Sequence, residues 1–388
     1  MNRHRDRSPR VLWVTNDLPP RHGGIESFIG ELLTRTFLGT THVLGPPDAN
    51  ATTFDTAQPY TVHRHPTKVL PSPALLRAIV REAKMHHADV IVLGALWPLG
   101  HLAGRIKQQL NIPIVALSHG HEAGLVSVKA HALIRHATRH VDVLTTISQY
   151  TQQRLARANR ARHTLRVPPG VDTARFVPAD TPRPAVLQPI APDAPIVGAL
   201  SRMVPRKGFD RLLAAWPTIL AAHPQAWLVI AGDGPDHKRL TRLTRKHGCR
   251  QVLFVGAPAS ETLPDLYRSF DVFAQPVRTR NLGLDVEGLG IVFLEAQASG
   301  LPLVVGNSGG APETLRSDVY GTVVDGRDTT AIARAITSWL DDPAVRTQAA
   351  FAARDAAEQE FSWPIIAKRF TQAVHTAITP ASCDSTSR

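Results

Sequence analysis

The sequence predicts an α/β protein with two doubly wound, mostly parallel sheets. Short runs rich in Val, Ile and Leu recur along the chain, each followed by a Gly or Pro turn and a helical stretch. The runs are not striped polar and apolar, as expected of parallel strands covered by helices on both faces. The series is interrupted once, by a proline-dense segment. At 388 residues the chain exceeds one ordinary core, so two domains are expected.

The first series of strands is expected at 11–15, 89–94, 113–118 and 143–147. A second series is expected at 195–200, 226–231, 252–255, 271–275 and 301–305. Between them, 167–195 holds Pro168, Pro169, Pro178, Pro182, Pro184, Pro189, Pro192 and Pro195. Prolines remove backbone donors and fix φ, so this segment is read as a linker. The expected domains are 1–178 and 179–360, each with a Rossmann-like sheet. A terminal helix over 361–378, with Ser362 as N-cap and Pro364 in its first turn, precedes a disordered tail over 379–388. Ligands of such sheets bind outside the carboxyl ends of the strands, and two facing sheets would form a cleft.

The formal net charge is +12, from 44 Lys+Arg against 32 Asp+Glu. It is unevenly spread. Residues 1–178 carry 22 Lys+Arg and 11 Asp+Glu, whereas 179–388 carry 22 and 21. Nucleic acid, an anionic membrane and a phosphorylated small molecule are the acidic partners to weigh. Aromatic residues make up only 6% and no reader motif occurs, so nucleic acid is set aside. Two cysteines, Cys249 and Cys383, exclude a disulfide framework and a Cys-based zinc site. The basic N-terminus is followed by too short an apolar run for a signal peptide, and no run reaches the ~20 apolar residues of a spanning helix. The expected location is the cytoplasm, peripherally on the inner face of the plasma membrane.

Chemistry concentrates at strand ends. The first strand leads through Asn16, Asp17, Gly23 and Gly24 into a helix, where glycines would let backbone N–H groups approach a phosphate. A plain βα turn explains the pair as well. The loop is neither a Walker A sequence nor Gly-x-Gly-x-x-Gly. After strand 195–200, Arg202 and Lys207 lie five residues apart before a helix, a spacing suited to a diphosphate. After strand 271–275 come Glu287, Gly290 and a helix bearing Glu295. The two glutamates would be roughly 12 Å apart even on one helix, too far for a glycosidase pair, so they suit two parts of an elongated ligand. Glu295 as an exposed helix carboxylate is the alternative. His119 ends strand 113–118 before Gly120. No Asp-x-Asp occurs in the chain.

Glu287-x7-Glu295, with Arg202 and Lys207 upstream, Gly23-Gly24 near the N-terminus and Gly306-Asn307-Ser308-Gly309-Gly310-Ala311-Pro312-Glu313 downstream, closely resembles glycosyltransferase family 4. These are retaining enzymes of GT-B fold, and the resemblance spans about 10–375. His119-Gly120-His121-Glu122, Pro168-Pro169-Gly170-Val171-Asp172 and Asp285-Val286-Glu287-Gly288-Leu289-Gly290 look most like the actinobacterial phosphatidylinositol mannoside mannosyltransferases, closest to the type that adds a second mannose from GDP-mannose.

The resemblance implies that Arg202 and Lys207 bind the donor diphosphate, Glu295 the ribose and Glu287 the mannose. It also implies that Gly23 and Gly24 approach the β-phosphate and that residues from Gly256 onward meet the base. Gly290, Ile291 and Val292 would offer a helix N-terminus behind the leaving group. His119 would lie under the sugar, and Asp17 with Asn16 would recognise the acceptor. Neither metal nor other cofactor is expected, nor an obligate protein partner. The terminal helix would cross back to the first domain. An inositol glycolipid acceptor on an anionic membrane would account for the basic first domain.

In 125–140, Val126, Ala130, Leu133, Ile134 and Ala137 share one helical face, bordered by Lys129, Arg135, His136, Arg139 and His140. Such a helix could lie apolar side down on a membrane, or pack on its own sheet with a solvated basic side. A second basic run comprises Arg154, Arg157, Arg160, Arg162 and Arg166. Another sugar nucleotide, another glycolipid or a soluble acceptor stays open at this stage.

Overall fold

The computed structural model describes residues 7–21, 23–127, 130–179 and 181–379. The chain forms two compact units, one of residues up to Pro168 together with those from Ile366 on, the other Pro169–Ile365. The division falls ten residues before the expected boundary at 178. The second unit also extends past 360, to Ile365, so the terminal helix Trp363–Ile378 begins in one unit and continues in the other. Of the expected tail 379–388, everything after Thr379 lies outside the described residues.

The first unit contains a parallel sheet of β1 (Val11–Val14), β2 (Thr41–Gly45), β3 (Thr61–Arg64), β4 (Val90–Leu93), β5 (Ile114–Ser118), β6 (Val143–Thr146) and β7 (His163–Arg166), in the order β3-β2-β1-β4-β5-β6-β7. The central strands β1, β4, β5 and β6 are buried on both faces, and the first three are almost wholly apolar for that reason, while β6 ends in buried Thr145 and Thr146. Ser72 caps the helix Pro73–Met85 by accepting from Leu75 N, with Pro73 in its first turn. Ser148 caps Gln149–Leu155 in the same way.

The second unit repeats the design with β8 (Ile196–Leu200), β9 (Trp227–Ala231), β10 (Val252–Gly256), β11 (Val272–Gln275), β12 (Leu303–Gly306) and β13 (Gly321–Val324), ordered β10-β9-β8-β11-β12-β13. Alternate strand residues feed two cores. Val197, Ala199, Leu228, Ile230 and Val304 face Trp216 and Ile336, while Ile196, Leu200, Val229, Phe273 and Val305 face Tyr267 and Phe293. Ligands of this topology gather where the strand order reverses. That point lies beside β1 and β4 in the first unit, and beside β8 and β11 in the second.

The sequence reading misses β2, β3, β7 and β13. Edge strands β3 and β7 are short and partly exposed, so they lack the apolar run of a buried strand. The proline segment is not a free linker either. Val171, Phe176, Leu187, Ile190 and Ala194 are buried in the second unit's core, and Val171 N donates to Phe361 O. Enough apolar side chains stand among the prolines to anchor the segment.

Candidate active site on each unit

In the second unit, β8 continues through Ser201 and Arg202 into a tight turn, Pro205–Lys207, that enters the helix Phe209–Ala222. Gly208 joins them at φ +81° with its α-carbon close under Pro276 O, so a side chain has no room there. Because β8 pairs with β11, the turn lies beside the loop that follows β11. Arg278 N donates to Arg206 O at 2.8 Å, and the Arg278 guanidinium grips Asp210 with two bonds of 2.8 and 2.9 Å. These contacts join two loops some seventy residues apart in sequence.

The result is a buried ion pair. Lys207 Nζ stands 2.8 Å from Glu287 Oε2, with the residues only 8% and 6% exposed. Arg206 Nε lies 3.6 Å from the same oxygen, and Arg206 Nη1 lies 3.4 Å from Asp285 Oδ1. Burial works to raise the Glu287 pKa, but the nearby charges of Lys207 and Arg206 outweigh it and hold the carboxyl below its usual range. Its backbone is held too. Ser308 Oγ accepts from Glu287 N at 3.3 Å, Gly310 N donates to Glu287 O at 3.1 Å, and Gly309 takes φ +59° against that carbonyl. Arg202 is exposed, and among the described residues its guanidinium has no ion-pair partner.

Gly290, at φ +98°, introduces the helix Ile291–Ala298, with Ile291 and Val292 in its first turn. An added Cβ at Gly290 would come within 2.6 Å of the Phe293 ring. Glu295 is partly buried on this helix and accepts from Tyr267 Oη at 2.7 Å. Burial raises the Glu295 pKa, against the Tyr267 hydrogen bond and the Arg175 charge, which lower it. Gly256 ends β10 at φ +68°, its carbonyl accepting from Gly232 N at 2.6 Å.

In the first unit, β1 runs through Asn16 and Asp17 to the helix Gly24–Arg35. Asn16 Oδ1 accepts from Val69 N, and Asp17 N donates to Thr15 Oγ1. The Glu26 carboxylate folds over Gly23, so an anion at this turn would have to displace it. His119 follows β5, only 8% exposed, with Phe28 edge-on at 6.0 Å and Nε2 2.6 Å from Gly94 O. A carbonyl only accepts, so Nε2 carries the hydrogen. Burial lowers the His119 pKa despite Glu122, Gly94 and Asp17, which raise it, so the imidazole is neutral at pH 7. Buried Glu122 accepts from Ser118 Oγ at 2.9 Å and from Trp97 N at 3.4 Å, tying the loop after β5 to the one after β4.

The helical stripe within 125–140 resolves as packing. Val126, Ile134 and Ala137 are buried in the first unit's core, leaving Leu133, Arg135, His136, Arg139 and His140 exposed. Val128 and Lys129 lie outside the described residues. Most of the apolar side is taken into the unit's core, Leu133 excepted, and the basic side faces out.

Sequence reasoning names Arg202, Lys207, Glu287 and Glu295 but gives no role to Arg206, Asp285, Tyr267 or the Arg278–Asp210 clamp. Arg206 reads alone as a solvated charge, and Tyr267 as one more apolar helix residue. Only the packing of strands and helices gives them partners.

The family description "Glycosyl transferases group 1" matches residues 187–356, and "Glycosyltransferase Family 4" matches 23–175. The chain is 40% identical, over 93% of its length and 96% of the relative's, to the GDP-mannose-dependent alpha-(1-6)-phosphatidylinositol monomannoside mannosyltransferase of Mycobacterium tuberculosis. It is 37% identical, over 94% and 97%, to the GDP-mannose-dependent monoacylated alpha-(1-6)-phosphatidylinositol monomannoside mannosyltransferase of Corynebacterium glutamicum. Among solved structures, HepE of Anabaena in complex with UDP has a TM-score of 0.79 at 21% identity, covering 95% of this chain and 100% of that one. That likeness shows the fold.

Proposed function

The chain belongs to the family 4 glycosyltransferases, two-domain α/β enzymes of GT-B fold, and on that premise we propose that it transfers mannose from GDP-mannose to phosphatidylinositol monomannoside, forming an α-1,6 linkage. The carrying observation is 40% identity across nearly the whole of both chains to a relative of that activity. The second unit supplies fitting chemistry. Exposed Arg202 and the buried Lys207 offer cationic charge to a diphosphate, beside the N-terminus of the helix Ile291–Ala298. As the sugar–phosphate bond breaks, negative charge grows on the leaving phosphate, and fixed cations stabilise that state more than the ground state. Glu287, kept ionised by Lys207 and Arg206, offers an acceptor to a sugar hydroxyl. Glu295 does the same for the ribose.

In the first unit, neutral His119 has its Nε2 hydrogen engaged by Gly94 O, leaving Nδ1 and the main-chain carbonyl for the sugar. Asp17 and Asn16 are assigned to the acceptor, with the Asn16 backbone oxygen and Oδ1 already ordering the loop. Retention without a dedicated nucleophile fits same-face attack, the departing phosphate oxygen taking the acceptor's proton. Cationic side chains and helix dipole take the place of a divalent metal; activity lost to a chelator and restored by magnesium would refute this.

Among the described residues no helix is long and apolar enough to cross a membrane. The surplus of basic residues before 178 supports peripheral docking on an anionic inner leaflet that presents the glycolipid. The outward charges Arg135 and Arg139 belong to that surface, by electrostatics rather than by burying the apolar stripe. Cosedimentation with anionic but not neutral vesicles, lost at high salt, is expected. The central assay supplies radiolabelled GDP-mannose with purified phosphatidylinositol monomannoside. Label entering lipid from another sugar nucleotide, but not from GDP-mannose, would overturn the donor assignment.

A further inference from the structure

We propose that Tyr267 is a positioning residue for donor binding: its hydroxyl holds Glu295 Oε2, leaving Oε1 to receive the ribose hydroxyls of a nucleoside diphosphate. This rests on the donor reading above. The Tyr267 ring is wholly buried, with Phe176, Phe270 and Phe273 centroids 5.7, 6.2 and 5.6 Å away. Phenylalanine would satisfy that packing. A hydroxyl in such a core is costly unless bonded, and this one has a specific use. It stands 2.7 Å from Glu295 Oε2 and 3.3 Å from Val292 O, and its single hydrogen goes to the closer, more basic oxygen.

Among the described residues Tyr267 is the only hydrogen-bond donor to the Glu295 carboxylate. Arg175 acts on the carboxylate through its charge, while its guanidinium donates to Ser260 Oγ at 2.9 Å. A carboxylate has acceptor sites for about four hydrogens, so one tether sets its orientation and leaves room for a vicinal diol. Val292 O, 3.3 Å away, is the more distant acceptor and is left without this hydrogen.

The test measures binding of GDP, 2′,3′-dideoxy-GDP and inorganic pyrophosphate by calorimetry to the full chain, to Tyr267→Phe and to Glu295→Gln. Wild type should prefer GDP over the dideoxy analogue by roughly tenfold or more, the loss expected when bonds to a charged acceptor vanish. Tyr267→Phe should cut that preference to about threefold or less while keeping pyrophosphate affinity within about twofold, which certifies an intact fold. In the Glu295→Gln background, Tyr267→Phe should change the preference no further. If wild type shows no preference, the ribose assignment of Glu295 fails and takes this proposal with it. If wild type discriminates and Tyr267→Phe discriminates equally, the proposal alone is overturned. Parallel loss of pyrophosphate binding would mean that Tyr267 supports only the core, and would also overturn it.

Discussion

Replacing Lys207 by methionine removes one charge from a pair that is nearly sealed from solvent. Lys207 Nζ and Glu287 Oε2 are 2.8 Å apart, and the residues are 8% and 6% exposed. Breaking a buried pair by deleting one partner costs about 3–5 kcal/mol, because the remaining charge stays desolvated. Here Arg206 still stands 3.6 Å from the same oxygen and offsets part of the loss, so the lower end, about 3 kcal/mol, is expected. For a unit of this size that is a fall in Tm of about 6–12 °C. Activity should fall further than stability explains. With the fold intact at low temperature, kcat at saturating donor should drop by about a hundredfold to a thousandfold, as when a group facing developing charge is removed. The double variant Lys207→Met/Glu287→Met separates the two effects. Replacing both charges should restore stability to within about 1 kcal/mol of wild type while leaving the enzyme inactive. Differential scanning calorimetry of the second unit's transition and single-turnover transfer are the measurements. A Lys207→Met protein within about 1 kcal/mol of wild type, or a double variant no more stable than the single, would refute the idea that the pair is held by burial.

Gly309→Ala should destabilise by about 2 kcal/mol or more and weaken transfer, since φ +59° and the Glu287 carbonyl both oppose a side chain; thermal melts and donor KM check this. Asp210→Asn should cost about 3 kcal/mol and raise donor KM, because Arg278, 8% exposed, loses its carboxylate partner and the two loops lose their clamp; the same two measurements read it. Donor KM should rise on acidification already above the ordinary glutamate range, since Glu295 is shifted upward and accepts from a ribose more strongly as a carboxylate; a flat KM down to pH 5 would contradict this. Glu287 is shifted the other way, so its stabilising contribution is present at neutral pH and fades only as pH drops through and below the usual carboxylate range.

The sequence by itself determined the class of the fold, because strands sheathed on both faces are apolar throughout and the repeat of strand, turn and helix is written in composition. It also determined the family and named Arg202, Lys207, Glu287 and Glu295, because a retained set of residue types at set spacings is a one-dimensional signal. It could not determine which charges meet. Lys207 and Glu287 are eighty residues apart and pair only because β8 lies beside β11 at the reversal of strand order. That adjacency turns Arg206 from a loop charge into a second partner, and the packing of the helices on either side of β11 brings a core tyrosine to Glu295. Nor could periodicity say where an apolar stripe points. Ile134 and Ala137 would suit a membrane or a protein core equally well, and only the packed unit shows its own core taking them. Burial, strand adjacency and the partners of a charge are properties of three dimensions, and they decide how the named residues act.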